Sequence, residues 1–305
     1  LATYTVFATP WVVFATAVNC GSLSAAGRKL GMPLATVSRK LSELEKHLNA
    51  RLLTRSTRLL ELTDVGREYL VACKRILEDV SEAERTATGE YNQPRGELVI
   101  SAPIVFGRVH VLPLINEFLG MFPEVDVRLL QGDRLVNLFE DHVDLAVRIG
   151  TLSDSDLVAT RVGNLRRVVC ASPEYLARQG TPLTPTELAS HHCISFDAMG
   201  SSRDWRFIIE GTERAVSVHS RLVVNTAEAA VDAALAGVGL TRLLSYQINP
   251  AHQAGLLERL LRPFEPAPIP VSLLYAGQRR LPLKLRTFLD FFTPRLRALM
   301  EPLNG

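Results

Sequence analysis

The chain has 305 residues, which is enough for two or three domains that each bury a core. Hydrophobic residues make up 47% and charged residues 22% of the chain, so the composition excludes a mainly disordered or fibrous protein. The four cysteines, Cys20, Cys73, Cys170 and Cys193, form no C-x-x-C pair. This spacing argues against a disulfide framework and a thiolate zinc site, and it favours a globular protein of the reducing cytoplasm.

Charge is distributed unevenly along the chain. Residues 1–67 hold nine Lys and Arg against four Asp and Glu, a net charge of +5, whereas the remainder holds 25 against 28, a net charge of −3. A basic segment on an otherwise acidic chain is typical of a module that binds a polyanion, with chance clustering of charges as the alternative.

Residues 6–18, VFATPWVVFATAV, are as apolar as the core of a signal peptide, but no Lys or Arg precedes Arg28. The segment fits a short amphipathic helix that begins near Pro10. The expected buried face of that helix consists of Trp11, Phe14, Ala15 and Val18. No later segment has 18 consecutive apolar residues. We therefore expect a cytoplasmic chain that is neither exported nor membrane-spanning.

A helix-turn-helix is predicted over about residues 23–42. Ser22 is the expected cap of its first helix, and Gly31-Met32-Pro33 separates this helix from the next. The second of these helices has an apolar face that would lock it into a three-helix core. That face consists of Val37, Leu41, Leu44 and Leu48.

The opposite side of the same helix is small, polar and basic. A helix that reads DNA needs such a side to enter a major groove about 12 Å wide. Arg39 suits either a guanine edge or a phosphate. For each hydroxyl on this side, an ordinary solvated helix face is the alternative. The predicted DNA contacts in the two helices are Ser24, Arg28, Ala35, Thr36, Ser38, Arg39 and Ser42.

The following segment, RLLTRSTRLLELTDVG, predicts a two-stranded wing over about residues 51–63. Arg55, Thr57 and Arg58 are its expected contacts to the DNA backbone. Thr63 should then cap a helix that runs from Asp64 to about Thr88.

The long helix carries an apolar stripe along its whole length. A helix of roughly 25 residues spans almost 40 Å, more than a compact domain requires. It therefore predicts pairing with a second copy of the chain, as a homodimer or a dimer of dimers that presents two reading helices to two half-sites. The stripe consists of Val65, Tyr69, Ala72, Ile76, Val80 and Ala83.

The segments GSLSAAGRKL, LATVSRKLSELEKHLNARLLTRSTR and LTDVG, followed by a long helix, resemble the LysR-type transcriptional regulators over nearly the whole chain. The departure is at Pro33, Leu34 and Ala35, where the family commonly has the more polar Ser-Gln-Pro, and this leaves the base preference open. The resemblance implies binding to double-stranded promoter DNA and a small effector held between two subdomains.

These patterns divide the chain into a winged helix-turn-helix domain over 1–63, a linker and dimerisation helix over 64–89 and an effector-binding domain over 90–305. The turn-forming residues Gly89 to Gly96 are the expected linker.

Strand and helix patterns alternate in the third part, which predicts mostly parallel sheets covered by helices. We expect an α+β or α/β architecture resembling periplasmic binding proteins. Lobe I comprises about 95–162 and 268–305, and lobe II comprises about 163–267. The two lobes would enclose a cleft.

Ligands of such sheets bind at the carboxyl ends of the strands. Helix starts after Pro103 and Thr226, together with the charge of Arg148, favour an organic anion as the effector. Helix capping by Ser101 and Thr226, and a salt bridge between lobes at Arg148, are the alternatives. The predicted effector contacts are Ser101, Pro103, Gln131, Arg148, Ile149, Phe196, Asn225 and Thr226.

No motif predicts catalysis, because a nucleophile elbow, a phosphate loop and a paired-carboxylate motif are all missing. Gly237-Val238-Gly239 follows a helix and is better explained as a helix end, and His191-His192 lacks a partner at a metal-ligand spacing. Cys170 and Cys193 are expected to be buried and inert, with a redox switch as the alternative. We predict an effector-responsive transcription factor without metal or cofactor. The rival is an α/β solute-binding protein or enzyme whose first helices serve only for dimerisation.

Overall fold

The computed structural model describes residues 9–55, 60–88, 93–134, 137–138, 140–152, 157–196, 204–277 and 281–303. Contacts separate the chain into an amino-terminal unit, Leu1–Asn92, and a carboxyl-terminal unit, Gln93–Gly305.

The amino-terminal unit is a three-helix core followed by a two-stranded wing and one long helix. The wing strands are antiparallel, with Leu53 opposite Leu62. The elements are α1 (Pro10–Asn19), α2 (Leu23–Leu30), α3 (Leu34–Leu48), β1 (Leu53–Arg55), β2 (Leu60–Leu62) and α4 (Asp64–Thr88).

Side-chain caps begin two of these helices, as the sequence predicts. Ser22 Oγ accepts the Ala25 N–H at 3.1 Å, and Thr63 Oγ1 accepts the Gly66 N–H at 2.9 Å. The turn after α2 is left-handed at Gly31, with φ of 64°, a conformation that glycine adopts without strain. These caps place the starts of α2 and α4 at their predicted positions.

The buried face of α1 differs from the predicted one and covers more of the helix. Phe14 and Ala15 are buried as expected, but Trp11 and Val18 are only partly buried. Residues missed by the stripe are buried instead, namely Val13 and Ala17. The reason is that α1 contacts α2, α3 and α4, so that most of its circumference faces a neighbour.

The carboxyl-terminal unit contains two five-stranded sheets, and its longer helices are Ile104–Met121, Pro173–Gln179, Ala227–Leu235, Ser245–Gln253 and Leu283–Met300. The strands are β3 (Gly96–Ala102), β4 (Val125–Gln131), β5 (Leu145–Ile149), β6 (Leu157–Leu165), β7 (Arg167–Ala171), β8 (Cys193–Phe196), β9 (Asp204–Ile209), β10 (Thr212–Ser217), β11 (Ser220–Val224), β12 (Leu240–Leu244), β13 (Glu258–Leu260) and β14 (Ile269–Ala276). Strands β9 and β10 form a separate hairpin.

Both five-stranded sheets are mixed, so the prediction of mostly parallel sheets is wrong. The first has the order β4-β3-β5-β14-β6, and the second has the order β11-β8-β12-β7-β13. Each contains two parallel and two antiparallel pairs. In the first sheet, β14 is antiparallel because it enters from the second lobe beside the point where β6 leaves, with Ile269 opposite Leu165.

The crossing between lobes lies a few residues later than predicted. Strand β6 remains paired with β14 as far as Leu165, and β7 begins in the second sheet at Arg167, whereas the predicted boundary followed residue 162. Gly163 interrupts the apolar pattern there, but it is needed in the strand. An added Cβ at Gly163 would approach the Cβ of Met300 to 2.6 Å.

One helical segment, Ile104–Met121, is long and apolar enough to cross a membrane by length and composition. Its residues Phe106, Ile115 and Phe118 are buried in the main cluster of the carboxyl-terminal unit. The segment therefore has the packing of a core helix.

Candidate functional site

The two faces of α3 differ in burial as a reading helix requires. Val37, Leu41 and Leu44 are buried against the three-helix core. Ala35, Arg39 and Ser42 lie on the exposed side, with Thr36 and Ser38 partly exposed beside them; Ser24 and Arg28 of α2 are exposed too. The exposed guanidinium of Arg39 lies 3.9 Å from the Glu43 carboxylate. An exposed pair of this kind contributes little to stability and can be exchanged for another partner.

The wing is described only in part. Arg55 ends β1, whereas its side chain and the residues Thr57 and Arg58 lie outside the described residues. Two further exposed lysines, Lys29 and Lys46, were absent from the predicted DNA contacts. In the sequence, only their positive charge could have marked these two lysines as candidates.

Helix α4 carries two adjacent apolar stripes. Leu70, Cys73 and Leu77 pack against the core of the amino-terminal unit. The predicted stripe is exposed at three positions within one chain: Val65 is 51% exposed, and Ile76 and Val80 are each 45% exposed. Its Tyr69 packs against the same core.

The predicted effector contacts lie at or just beyond the carboxyl ends of strands β3, β4, β5, β8 and β11, but they differ in exposure. Ser101 is 1% exposed, and its hydroxyl has no hydrogen-bond partner among the described residues. The capping alternative is therefore wrong for Ser101. Partly buried contacts are Pro103, Ile149, Phe196 and Thr226, and exposed contacts are Gln131 and Asn225.

At both helix starts, a backbone N–H group already donates a hydrogen bond to a side chain of the protein itself. The Ile104 N–H donates to Asp133 Oδ1 at 3.1 Å, and the Ala229 N–H donates to Thr226 Oγ1 at 3.3 Å. Thr226 thus has the capping contact that the sequence left as an alternative. The expected anion at the first helix start is, in this structure, the carboxylate of Asp133.

Arg148 is 7% exposed at the end of β5. Its Nη1 donates to the Arg134 carbonyl oxygen at 3.1 Å, within the first lobe, and burial lowers its pKa. An ion pair that does connect the lobes joins Arg108 to Glu228 at 3.7 Å. The structure thus has an ion pair between the lobes at Arg108, a residue that the sequence analysis did not name.

An aromatic cluster that the sequence analysis missed joins the lobes. His110 lies 4.9 Å from Phe106 and 5.6 Å from Tyr246, measured between ring centroids. The buried His110 Nε2 has no hydrogen-bond partner among the described residues, and burial lowers the pKa of His110. No local pattern links these residues, because Tyr246 comes from the second lobe.

The hydroxyl of Tyr246 lies in an acidic environment. Burial raises the pKa of Tyr246 above its usual range, and the carboxylates of Asp133 and Glu228 raise this pKa further. A hydrogen bond that Gln247 Nε2 donates at 3.4 Å opposes the shift. Acidic and basic groups therefore lie together near the strand ends, along with a hydroxyl and an imidazole nitrogen that have no hydrogen-bond partner among the described residues.

Two family models match consecutive parts of the chain. The model described as bacterial regulatory helix-turn-helix protein, lysR family, matches residues 10–67, and the model described as LysR substrate binding domain matches residues 91–297.

Curated relatives match across nearly the whole chain. An HTH-type transcriptional regulator of Xanthomonas campestris pv. campestris is 36% identical over 93% of this chain and 84% of its own length. The HTH-type transcriptional regulator CrgA of Neisseria meningitidis is 34% identical over 93% of this chain and 95% of its own length.

Solved structures have the same fold. CrgA of Neisseria meningitidis, titled a LysR-type transcriptional regulator, aligns with a TM-score of 0.61 and 31% identity, covering 95% of this chain and 99% of its own. The full-length Vibrio cholerae virulence activator AphB aligns with a TM-score of 0.60 and 26% identity, covering 93% of this chain and 97% of its own. The chain therefore belongs to the LysR family of transcriptional regulators, in which a helix-turn-helix DNA-binding domain is joined to an effector-binding domain.

Proposed function

We propose that residues 1–63 read promoter DNA, that the helix over 64–89 pairs two chains and that residues 90–305 bind the effector. The separation of contacts at Asn92 and Gln93 supports this division. The observation that carries the DNA-binding role is the asymmetry of α3, whose apolar face is buried while Arg39 and its small neighbours face outward.

Arg39 is the central base or phosphate contact in this proposal. It can leave its exposed pair with Glu43 at small cost, because such pairs contribute at most about 1 kcal/mol. The neighbouring contacts come from α2, α3 and the wing: Ser24, Arg28, Ala35, Thr36, Ser38, Ser42, Arg55, Thr57 and Arg58.

Fluorescence anisotropy with a labelled fragment of the promoter beside the gene tests the DNA-reading role. Arg39→Ala should weaken binding to this fragment by about 1–3 kcal/mol while changing binding to random DNA much less. Affinity for both DNAs should fall steeply with salt, because phosphate contacts release counterions. Arg214→Ala is the control, since Arg214 is an exposed arginine of the other unit. Equal affinity of Arg39→Ala and wild type would contradict this role.

The exposed stripe of α4 supports pairing of two chains. An apolar stripe of this length is buried when it packs against its own copy, and a symmetric pair presents two α3 helices to two half-sites. The proposal is a homodimer, or a dimer of such dimers.

The effector is proposed to bind at the strand ends around Ser101 and Arg148. A buried hydroxyl without a partner costs free energy, and a ligand group can supply the missing hydrogen bond. Arg108 and Arg148 favour an organic anion as the effector, and such an anion would compete with Asp133 for the Ile104 amide.

A thermal-shift screen tests the effector site with small carboxylic acids and, in a second arm, their neutral amides. We expect selected acids to raise the Tm of the wild type and to lose this effect in Ser101→Ala. Ser190→Ala is the control, because Ser190 is exposed and its hydroxyl donates locally to the Glu187 carbonyl oxygen. Equal shifts in Ser101→Ala and wild type would place the ligand elsewhere, and shifts from the amides alone would contradict an anionic effector.

This function needs no catalysis and is proposed to operate in the cytoplasm, where promoter DNA lies. The named relatives are transcriptional regulators, which supports a regulator over the rival α/β enzyme or solute-binding protein.

A further inference from the structure

Two arginines of the second lobe share one face of its sheet, away from the effector cleft. Strand pairing places Arg242 opposite Val169 and Leu244 opposite Arg167, so the two arginines are diagonal neighbours on that face. Val169 belongs to the same buried cluster as Trp205 of the β9–β10 hairpin. Successive residues of a strand point to opposite faces of the sheet. The residues that alternate with the arginines therefore pack on the other face, in the main cluster of the carboxyl-terminal unit, together with the helices beside the cleft.

The two arginines differ in their contacts. Arg242 lies over the Trp205 ring at 5.7 Å from its centroid, and its Nη1 donates to the Arg206 carbonyl oxygen at 3.0 Å. Among the residues that the structure describes, the guanidinium of Arg167 has no hydrogen-bond or ion-pair partner, although its backbone lies in the sheet. The nearby carboxylate of Glu213 is engaged by the Arg206 guanidinium at 2.8 Å.

Positive charge is therefore in excess at this position. Burial lowers the pKa of Arg242 to about 9, and the charges of Arg167 and Arg206 contribute to this shift. Burial also lowers the pKa of Arg167. Two like charges that are partly removed from water are unfavourable unless an opposite charge lies with them.

We propose that Arg167 and Arg242, beside the ring of Trp205, form an oxyanion site that is separate from the effector cleft. The planar fork of a guanidinium matches the oxygens of phosphate, sulfate or carboxylate. The shared chemistry of the ligand is a small oxyanion, which is either a free inorganic ion or the carboxylate of an organic acid.

The test uses the full chain in thermal unfolding, with sodium phosphate, sodium sulfate or sodium acetate exchanged for sodium chloride at constant ionic strength. We expect at least one oxyanion to raise the Tm with saturation. Phosphate or sulfate alone would identify an inorganic ion, and acetate would identify a carboxylate ligand. If no oxyanion differs from chloride, the proposal is overturned.

Two variants locate the response. Arg167→Gln should weaken oxyanion binding at least tenfold, and Arg167→Lys should weaken it less, because it keeps the charge without the fork. Arg214→Gln is the matched control on the hairpin, where Arg214 is exposed and pairs with Glu210. An unchanged response in Arg167→Gln would overturn the proposal.

A spectroscopic readout protects the test from a variant that folds poorly. The chain has two tryptophans, so Trp11→Phe leaves Trp205 as the reporter. Oxyanion titration should change Trp205 fluorescence with the same midpoint as the Tm response. Ser101→Ala should keep this response; its loss there would mean that the ion binds in the effector cleft, and it would overturn this site without contradicting the proposed regulator.

Discussion

The four cysteines differ in burial and therefore in expected thiol reactivity. Cys170 and Cys193 are buried in the second sheet, and burial raises the pKa of each thiol to about 12. Cys73 is buried too, and its pKa is raised, whereas Cys20 is partly exposed. The expectation of inert thiols at Cys170 and Cys193 agrees with these surroundings.

We predict that N-ethylmaleimide at pH 8 modifies Cys20 and leaves Cys170 and Cys193 unmodified in the folded chain. The thiolate is the reactive form, and a pKa of about 12 leaves only ~10⁻⁴ of a thiol ionised at pH 8. Raising the pH toward the pKa would increase reactivity. Mass spectrometry of peptides checks the outcome, with urea-unfolded protein as the control. Early labelling of Cys170 in the native state would contradict it.

The positions of the cleft residues could be predicted from the sequence, but their hydrogen-bond partners could not. The strand ends at Ser101 and Arg148 follow from short apolar runs that stop at turn-forming residues. The contact between Arg148 and the Arg134 carbonyl oxygen, and that between Asp133 and the Ile104 amide, depend on loops that meet only after folding.

At the scale of elements, α4 begins in close contact with the wing. Gly66 lies in its first turn, where an added Cβ would overlap the Leu52 carbonyl oxygen. Because this neighbour is backbone, it cannot move aside cheaply. Gly120, near the end of another helix, has open space around its Cα.

We therefore predict opposite effects for the same substitution at these two glycines. Gly66→Ala should lower the free energy of unfolding of the amino-terminal unit by about 1–3 kcal/mol through steric overlap. Gly120→Ala should leave stability unchanged or raise it by up to about 1 kcal/mol, since alanine is the better helix former. Urea unfolding checks both substitutions. Trp11 fluorescence monitors the unfolding of Gly66→Ala in a chain that also carries Trp205→Phe, and circular dichroism monitors that of Gly120→Ala. A stable Gly66→Ala protein would disprove the close contact.

The exposed stripe of α4 yields a second prediction for this element. Val80→Glu should raise the dimer dissociation constant by at least about tenfold, because a carboxylate without a partner is unfavourable in an apolar interface. Lys74→Glu also adds an acid to an exposed position of α4, but on the side opposite the stripe, so it is the matched control. Light scattering over a concentration series measures both. A dimer in Val80→Glu as tight as in the control would exclude the stripe as the interface.

For the whole molecule, contacts divide the chain at Asn92 and Gln93, and each unit has its own core. Removing residues 1–92 should leave a folded module that keeps the thermal response to cleft ligands, because the proposed effector contacts all lie in the remaining unit. It should also have a lower oligomeric order, since α4 is lost. Light scattering and the same thermal-shift panel provide the test, and an unchanged number of chains per particle would contradict it.

The sequence by itself determined the amino-terminal unit in most of its detail and the family of the whole chain. The two faces of α3 and the caps of α2 and α4, Ser22 and Thr63, follow from residues within a few positions of one another, so local physics decides them. Only the tertiary structure decided the mixed direction of both sheets, the crossing after Leu165 and the contact between His110 and Tyr246. These depend on where distant segments return to one another, and periodicity along the chain carries no record of that return.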